Sequence, residues 1–173
     1  YVFDKTEPDP IPDVVNSGET IKVYYTRRTD LSYTVHYKEQ ETEKVLTADR
    51  VVPGQTFEDI IQESAIEING YNEVAPEIVN IEIGLEANEY TFYYKKAKYD
   101  YTVEYYYDGV KDENKTDTTK ATYLDEISTC TDKMTSGYRL QKVEGLPLTI
   151  SYNEADNIIK VYYVVDDEGT KDL

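Results

Sequence analysis

The fold is decided by the stretch Ile158-Ile159-Lys160-Val161-Tyr162-Tyr163, because two other stretches of the chain share its pattern. They are Thr20-Ile21-Lys22-Val23-Tyr24-Tyr25 and Glu89-Tyr90-Thr91-Phe92-Tyr93-Tyr94. The interval between the final tyrosines is constant, since Tyr25, Tyr94 and Tyr163 follow one another at steps of 69 residues. Self-similarity at a fixed period is the signature of a tandem-repeat array. The sequence therefore predicts one small module used repeatedly.

Two further landmarks recur in the same order. Tyr33-Thr34-Val35-His36-Tyr37 matches Tyr101-Thr102-Val103-Glu104-Tyr105, and Gly70-Tyr71 matches Gly137-Tyr138. Tyr1 fits the slot of Tyr138, so we expect the chain to begin midway through a module. The predicted divisions are the C-terminal half of a truncated repeat at 1–28, complete repeats at 29–97 and 98–165, and a linker toward a further repeat at 166–173.

The amino-acid composition limits the kinds of molecule that the chain is expected to bind. The chain has 173 residues, 19 of them Tyr, and a net charge of −17. Such a charge repels phosphate backbones and anionic lipid headgroups, which excludes nucleic acid as an expected partner. No apolar run is long enough to insert into a membrane, and we expect any export or anchoring signal to lie outside this fragment. Cys130 is the only cysteine, so no intramolecular disulfide is possible.

Each module is predicted to contain both strands and a helix. Tyr33 to Lys38 and Ile78 to Ile83 alternate as half-buried strands do. Thr56-Phe57-Glu58-Asp59 and Thr122-Tyr123-Leu124-Asp125 place a hydroxyl three residues before a carboxylate, as at a helix start. The predicted fold class is α+β: tandem β-grasp-like modules, each with a four- to five-stranded sheet and one helix, joined into an elongated rod.

Four stretches of the chain carry a likeness to a known family: Tyr33-Thr34-Val35-His36-Tyr37, Pro53-Gly54-Gln55-Thr56-Phe57, Ile68-Asn69-Gly70-Tyr71 and Phe92-Tyr93-Tyr94-Lys95. They resemble the mucin-binding-protein (MucBP) repeats of cell-surface proteins from Gram-positive gut bacteria. The likeness covers nearly the whole chain, although the last module departs from it with Lys120-Ala121 in place of the Pro-Gly turn. The resemblance implies adhesion to mucin glycans or other host ligands by a long wall-anchored protein. It assigns no sugar-contacting residue here.

Tyrosines are the candidate ligand-binding residues. An exposed phenol ring stacks on a sugar face while its hydroxyl makes a polar contact. Neighbouring residues of a strand point to opposite faces, so one ring of each adjacent pair lies outside the core. Cross-strand packing in the sheet is the alternative role for these rings. Tyr105, Tyr106 and Tyr107 are predicted to be the best exposed patch.

The acidic residues, the histidine, the cysteine and the lysines are interpreted as structural rather than catalytic or metal-binding. The acidic groups around Asp112 and Asp167 lack the spacing of a calcium loop and predict solvated loops. His36 has no second histidine as a partner, so it is interpreted as a surface strand residue, and Cys130 as a buried or half-buried thiol. A Lys to Asn cross-link is disfavoured, because the middle module has Thr91 where the other closing strands have Lys22 and Lys160. The asparagines near these lysines in sequence are Asn16 and Asn157. The sequence thus predicts no catalytic residue, no metal site and no cofactor.

The function expected from these observations is that of a non-enzymatic repeat region of an adhesin on the surface of a Gram-positive bacterium. Weak sites repeated along one chain gain avidity through effective concentration. A pure spacer without a ligand is the first alternative, and a polysaccharide-acting enzyme with paired carboxylates is the second. The expected partners are host mucin or other glycans and the neighbouring repeats, with the fragment itself a monomer.

Overall fold

The computed structural model describes residues 1–73 and 76–166, and strands dominate it. The predicted linker at 166–173 lies outside the described residues except for Asp166. Residues 1–28 contain β1 (Val2–Glu7) and β2 (Lys22–Thr26). The middle module contains β3 (Leu31–Glu39), β4 (Arg50–Gln55), β5 (Ile60–Ser64), β6 (Tyr71–Glu73), β7 (Ile78–Glu82) and β8 (Glu89–Lys96). The last module contains β9 (Lys98–Tyr107), β10 (Val110–Lys111), β11 (Asp117–Thr122), β12 (Glu126–Ile127), β13 (Tyr138–Glu144), β14 (Leu148–Thr149), a 3-10 turn (Glu154–Asp156) and β15 (Ile158–Val165).

The first strand of the middle module, β3, alternates as the sequence predicts. In β3, the residues at every second position are buried, from Leu31 to Glu39, while the residues between them are half-buried or exposed. Period-two alternation places one set of side chains on the core face of a sheet. Val35 and Tyr37 therefore enter the core of the middle module, and Val103 and Tyr105 enter the core of the last one.

Both complete modules share one main sheet topology. The middle module has the order β4-β3-β8-β6, and the last has β10-β9-β15-β13 with β11 also paired to β9. The first and last strands of each module run parallel, with Tyr37 opposite Phe92 in one and Tyr105 opposite Val161 in the other. A second, two-stranded sheet, β5-β7 or β12-β14, accompanies each main sheet. The repeat seen in the sequence is thus a repeat of strand order.

The predicted α+β class and its helix are wrong: each module is built from strands where the helix was expected. The residues after Thr56 form a turn, in which the Asp59 N–H donates to the Thr56 carbonyl at 3.1 Å. Glu58 then has φ of 67°, in the left-handed region that a right-handed helix cannot accommodate. The next residues form β5, which pairs with β7 in an antiparallel register.

The last module contains the same turn in place of its predicted helix. The Asp125 N–H donates to the Thr122 carbonyl at 2.9 Å, and Leu124 has φ of 68°. In both turns the left-handed residue donates its N–H to the carbonyl that directly follows β7 or β14, Glu58 to Ile83 and Leu124 to Ile150. A β-grasp fold requires a helix across the sheet, so that assignment fails together with the helix.

Strand formation at β5 has a local cause and a tertiary one. Ile60 and Ile61 are β-branched residues, which favour extended backbone. Glu63, on the same strand, is buried and receives a hydrogen bond at 2.8 Å from the Tyr33 hydroxyl, and it forms an ion pair with Arg50. If this segment were helical, Glu63 would lose its contacts with Tyr33 and Arg50. These tertiary contacts therefore also favour the strand.

Residues 1–28 form a separate two-stranded sheet. Its strands β1 and β2 pair antiparallel, with a register shift between Phe3 and Lys5. The same shift occurs between Leu140 and Lys142, where β13 pairs with β15. The pairing of β1 with β2 therefore has the same bulge as the pairing of β13 with β15. The whole chain divides into two compact units, one with Tyr1–Ile66 and Glu73–Lys95, the other with Glu67–Asn72 and the chain from Lys96 onward.

Candidate functional site

Tyr105, Tyr106 and Tyr107, the three predicted ligand-binding residues, occupy three different environments at the end of β9. Tyr105 is completely buried, and its hydroxyl donates to the Thr131 carbonyl at 2.7 Å. Tyr106 and Tyr107 are half-buried. Adjacent strand residues alternate between faces, so the three rings do not form one continuous exposed patch, and the Tyr105 ring is not available to a ligand.

Burial of Tyr105 has a measurable consequence at high pH. Burial and then the Asp117 carboxylate raise the pKa of Tyr105 from 10.0 to about 12. The phenol ionises more readily in the unfolded chain, so its contribution to stability is complete below about pH 10 and is lost as the pH rises toward 12. We expect urea midpoints to fall between about pH 10 and about pH 12, and Tyr105→Phe to reduce that fall. Parallel pH curves for the two proteins would contradict this assignment.

Tyr106 lies on the outer face of the sheet and stacks on a neighbouring tyrosine. Its ring is 4.9 Å from that of Tyr162, with an angle of 21° between the planes. Its hydroxyl donates to Glu104 at 2.8 Å, and Glu104 also pairs with Lys111 at 3.0 Å. The Lys142 ammonium lies 4.6 Å from the centre of the Tyr162 ring. These contacts form a row of side chains along the outer face of the sheet.

Tyr107 lies beside a depression at the end of the first hairpin. One face of its ring stacks on Tyr163 at 5.1 Å, and the Lys115 ammonium lies 3.9 Å from the ring centre. The Tyr107 hydroxyl donates to the Lys133 carbonyl at 2.5 Å. The edge of the ring meets Tyr138 at 5.2 Å and an angle of 88°. Tyr107 is thus held in place by these contacts and forms one wall of the depression, and Tyr138 forms the second aromatic wall.

The depression has a volume of about 430 Å³. Besides the two rings it is lined by Val110, Lys111, Asp112, Glu113, Asn114, Lys115 and Thr135. Volumes of roughly 300–1,000 Å³ are usual for small-ligand sites. Aromatic rings combined with carboxylate, amide and hydroxyl groups match the alternating apolar faces and hydroxyls of a sugar. The chemistry of this lining is compatible with a saccharide ligand.

The hairpin that forms the depression is held by its own backbone. After the Asp108-Gly109 turn, Val110 pairs with Tyr107 across β10 and β9. The Asp112 N–H donates to the Tyr105 carbonyl at 2.9 Å, and the Asp112 carboxylate accepts from the Asn114 N–H at 3.0 Å. The Lys115 ammonium donates to Thr135 at 2.6 Å. These bonds fix the lining residues before any ligand binds, which lowers the entropic cost of binding.

The middle module has a different structure at the corresponding place. Glu39 stands where the last module has Tyr107, and it is buried with the Thr42 hydroxyl bonded to its carboxylate. Tyr71 stands where the last module has Tyr138, and its ring meets that of Tyr123 instead. The depression between Tyr107 and Tyr138 is therefore a feature of the last module.

A second depression, of about 270 Å³, lies near Tyr101, Asp117 and Cys130. The middle module has the Arg50–Glu63 ion pair at the corresponding position. Asp117 is itself paired with Lys133 at 2.6 Å. Burial, and then the Asp132 carboxylate, raise the pKa of the Cys130 thiol, which disfavours the nucleophilic thiolate form.

The remaining residues singled out in the sequence have structural contacts. His36 is half-buried on β3, with Nδ1 2.9 Å from an Asp49 oxygen and Nε2 3.7 Å from Glu89. Within 1–73 and 76–166, no group of three or more His, Cys, Asp or Glu side chains is arranged to hold a metal ion. The same ranges contain no helix with the length and apolar character needed to span a bilayer.

Asn157 has a role that the sequence reasoning missed. The residue is fully buried, and its amide donates to the carbonyls of Ser151 at 2.9 Å and Asp100 at 3.2 Å. Its carbonyl oxygen accepts from the Ser151 N–H at 2.8 Å. Asn88 makes the same set of contacts in the middle module, with Gly84 and Ser32. The side chain of Asn157 therefore ties a loop to the first strand, a role unrelated to a Lys to Asn cross-link.

Comparison with known proteins gives no family for this chain. No family model matches it, and neither does any curated protein.

Proposed function

We propose that the chain is a non-enzymatic repeat region of an adhesin on the surface of a Gram-positive bacterium, and that its last module binds host glycans weakly. The depression between Tyr107 and Tyr138 carries this proposal, because it joins aromatic walls to fixed polar groups in one concave site. The resemblance to MucBP repeats supplies the class of ligand. The single cysteine accords with an extracellular chain that has no disulfide of its own.

The proposed ligand is built of uncharged sugar units. A net charge of −17 repels sialylated or sulfated chains at long range. The Lys111 ammonium at the site is already paired with Glu104 at 3.0 Å and Glu113 at 3.2 Å. The other lysine of the lining, Lys115, is held by the Thr135 hydroxyl at 2.6 Å and by the Tyr107 ring. Neutral hexoses and N-acetylhexosamines combine apolar faces with hydroxyls and suit the lining described above.

A glycan array and a mucin pull-down with the whole chain test this proposal. We expect weak binding to neutral mucin-type glycans, which falls about tenfold in Tyr138→Ala and in Asn114→Ala, since each removes one lining group. Tyr152→Ala is the matched control, because Tyr152 is an exposed tyrosine of the same module outside the depression. Equal binding by all three variants, or no binding by the parent chain, would reject the site.

A spacer role is the second candidate, and the repeated Asn88 and Asn157 contacts favour it. Each Asn ties the same loop to the same strand in its module, which is a structural device without a binding function. A chain that binds no glycan or mucin in these assays, yet keeps both modules folded, would be assigned this role. The two candidates are thus separated by the same experiment.

A further inference from the structure

The second depression of the last module lies where an ion pair stands in the middle module. Arg50 is opposite Val35 in the pairing of β4 with β3, and Asp117 is opposite Val103 in the pairing of β11 with β9. Val35 and Val103 are equivalent residues of the repeat. Asp117 therefore holds the position of Arg50, and a short acidic side chain replaces a long basic one.

The carboxylate partner of Arg50 is replaced as well. Glu63 and Thr129 stand at the same distance along the chain from Glu58 and Leu124, the left-handed residues of the two turns. A threonine hydroxyl thus takes the place of the Glu63 carboxylate. Both long side chains of the ion pair are missing from the last module, and a depression of about 270 Å³ lies at that position.

Loss of the ion pair exposes a tyrosine that the middle module covers. Tyr33 is 4% exposed, and its hydroxyl donates to Glu63 at 2.8 Å. Its counterpart Tyr101 is half-buried and lines the depression together with Asp117. An aromatic ring and a carboxylate in one concave site are the two features that attract an organic cation.

The other lining groups favour a guanidinium over an ammonium. Asp117 has a side chain that is 48% exposed, and hydroxyl oxygens come from Thr119, Thr129 and Thr131. A guanidinium group carries its N–H donors in a planar fork, so it bonds a carboxylate and neighbouring hydroxyls at the same time. The middle module holds the guanidinium of Arg50 at the corresponding place, paired with Glu63.

Asp117 keeps acceptor capacity for a second cation. The Lys133 ammonium lies 2.6 Å from Oδ2 of Asp117 and also donates to the Lys115 carbonyl at 2.7 Å. A carboxylate has about four lone-pair positions on its two oxygens, so one ammonium does not saturate it. The net charge of −17 adds a long-range attraction for a basic partner.

We propose that the second depression binds an arginine side chain of a basic partner protein. The guanidinium bonds the Asp117 carboxylate beside the Tyr101 ring, in the space that the Arg50 and Glu63 side chains take up in the middle module. The partner thereby supplies a cation that the middle module carries in its own sequence. This inference goes beyond the proposed function and does not depend on glycan binding, because it concerns a different depression.

NMR titration of the labelled whole chain with the peptide acetyl-Gly-Arg-Gly-amide tests the proposal. We expect saturable shifts at Tyr101, Asp117, Thr129 and Cys130, with β4 and β5 unchanged. The matching lysine peptide is expected to bind about threefold more weakly, because an ammonium lacks the planar fork, and the glutamine peptide is expected not to bind. No saturable shifts, or equal shifts with all three peptides, would overturn the proposal.

Free arginine distinguishes a protein partner from a small metabolite. Its α-carboxylate is repelled by the acidic chain, so we expect it to bind more weakly than the arginine peptide. Tighter binding of free arginine would assign the depression to the amino acid and would overturn the protein partner.

Two variants separate the site from the fold. Asp117→Asn is expected to weaken binding of the arginine peptide about tenfold, since it removes the charged acceptor. Asp125→Asn is the matched control, because Asp125 is an exposed aspartate of the same module outside the depression. The double variant Asp117→Arg with Thr129→Glu carries the ion pair of the middle module, and we expect it to fold and to bind no peptide. Undiminished binding by Asp117→Asn or by the double variant would contradict the assignment.

Cys130 provides an independent measurement, because it is the only cysteine of the chain and lines the depression. At saturation the arginine peptide is expected to slow alkylation of Cys130 by iodoacetamide about fivefold, since most sites are then occupied. An unchanged alkylation rate at peptide concentrations that saturate the NMR shifts would place the binding elsewhere and overturn the proposal.

Discussion

Tyr105→Ala is expected to lower the free energy of unfolding of the last module by about 4 kcal/mol. The ring is completely buried in a core that includes Val103, Val161 and Tyr163. Truncation leaves a cavity, and the surrounding strands relax into it only in part. It also removes the donor to the Thr131 carbonyl, so that a part-buried acceptor loses its partner.

Tyr106→Ala is the matched control, at the next residue of the same strand. Its ring lies on the outer face against Tyr162, so we expect a loss of about 1 kcal/mol. Urea denaturation followed by amide exchange on β9 and β15 separates the last module from the rest of the chain. Equal losses for the two variants would contradict the assignment of Tyr105 to the core face.

Asn157→Ala is expected to cost the last module about 3 kcal/mol. The substitution removes three side-chain hydrogen bonds at a fully buried position and leaves both backbone groups of Ser151 without their side-chain partner. The Asp100 carbonyl loses a donor as well. Buried polar groups that lose their partners retain the full cost of desolvation.

The repeat provides two comparisons for this prediction. Asn88→Ala is expected to destabilise the middle module in the same manner, because Asn88 bonds to Gly84 and Ser32. Asn153→Ala is expected to change stability by less than about 1 kcal/mol, since Asn153 is exposed. Amide hydrogen-exchange rates measured in both modules test these expectations. A loss confined to the wrong module, or a neutral Asn157→Ala, would show that the buried amide contributes little.

The recurring sequence motifs lie on strands of the structure. The constant step between Tyr25, Tyr94 and Tyr163 corresponds to equivalent strands, β2, β8 and β15. Alternation at Tyr33 to Tyr37 correctly indicated which residues face the core. These signals succeed because the period of two is a local consequence of strand geometry.

The helix could not be judged from its own segment. A Thr followed three residues later by Asp is a helix-start pattern, and the same pattern occurs here in a turn whose third residue, Glu58 or Leu124, is left-handed. The strand β5 pairs with β7, which lies further along the chain. A pattern within one short segment therefore cannot reveal this pairing. Tertiary pairing thus outweighed local propensity.

The candidate site was predicted only in part. Of the three tyrosines, only Tyr107 borders the depression. The other aromatic residue of the depression, Tyr138, is in the sequence analysis only a landmark of the repeat. When three consecutive strand residues are aromatic, the sequence alone does not show which of the rings face the core. Asn88 and Asn157 were detectable in principle, because they stand one repeat length apart, 69 residues, on the same side of the closing strand.

The most direct test of the account is an NMR titration of the labelled whole chain with a neutral mucin-type oligosaccharide. Binding at the proposed site predicts saturable shifts confined to Tyr107, Lys111, Asn114 and Tyr138, with the middle module unchanged. Those shifts are expected to disappear in Tyr138→Ala and to persist in Tyr152→Ala. An absence of shifts at millimolar sugar, or shifts shared equally by both modules, would contradict the assignment of glycan binding to the last module.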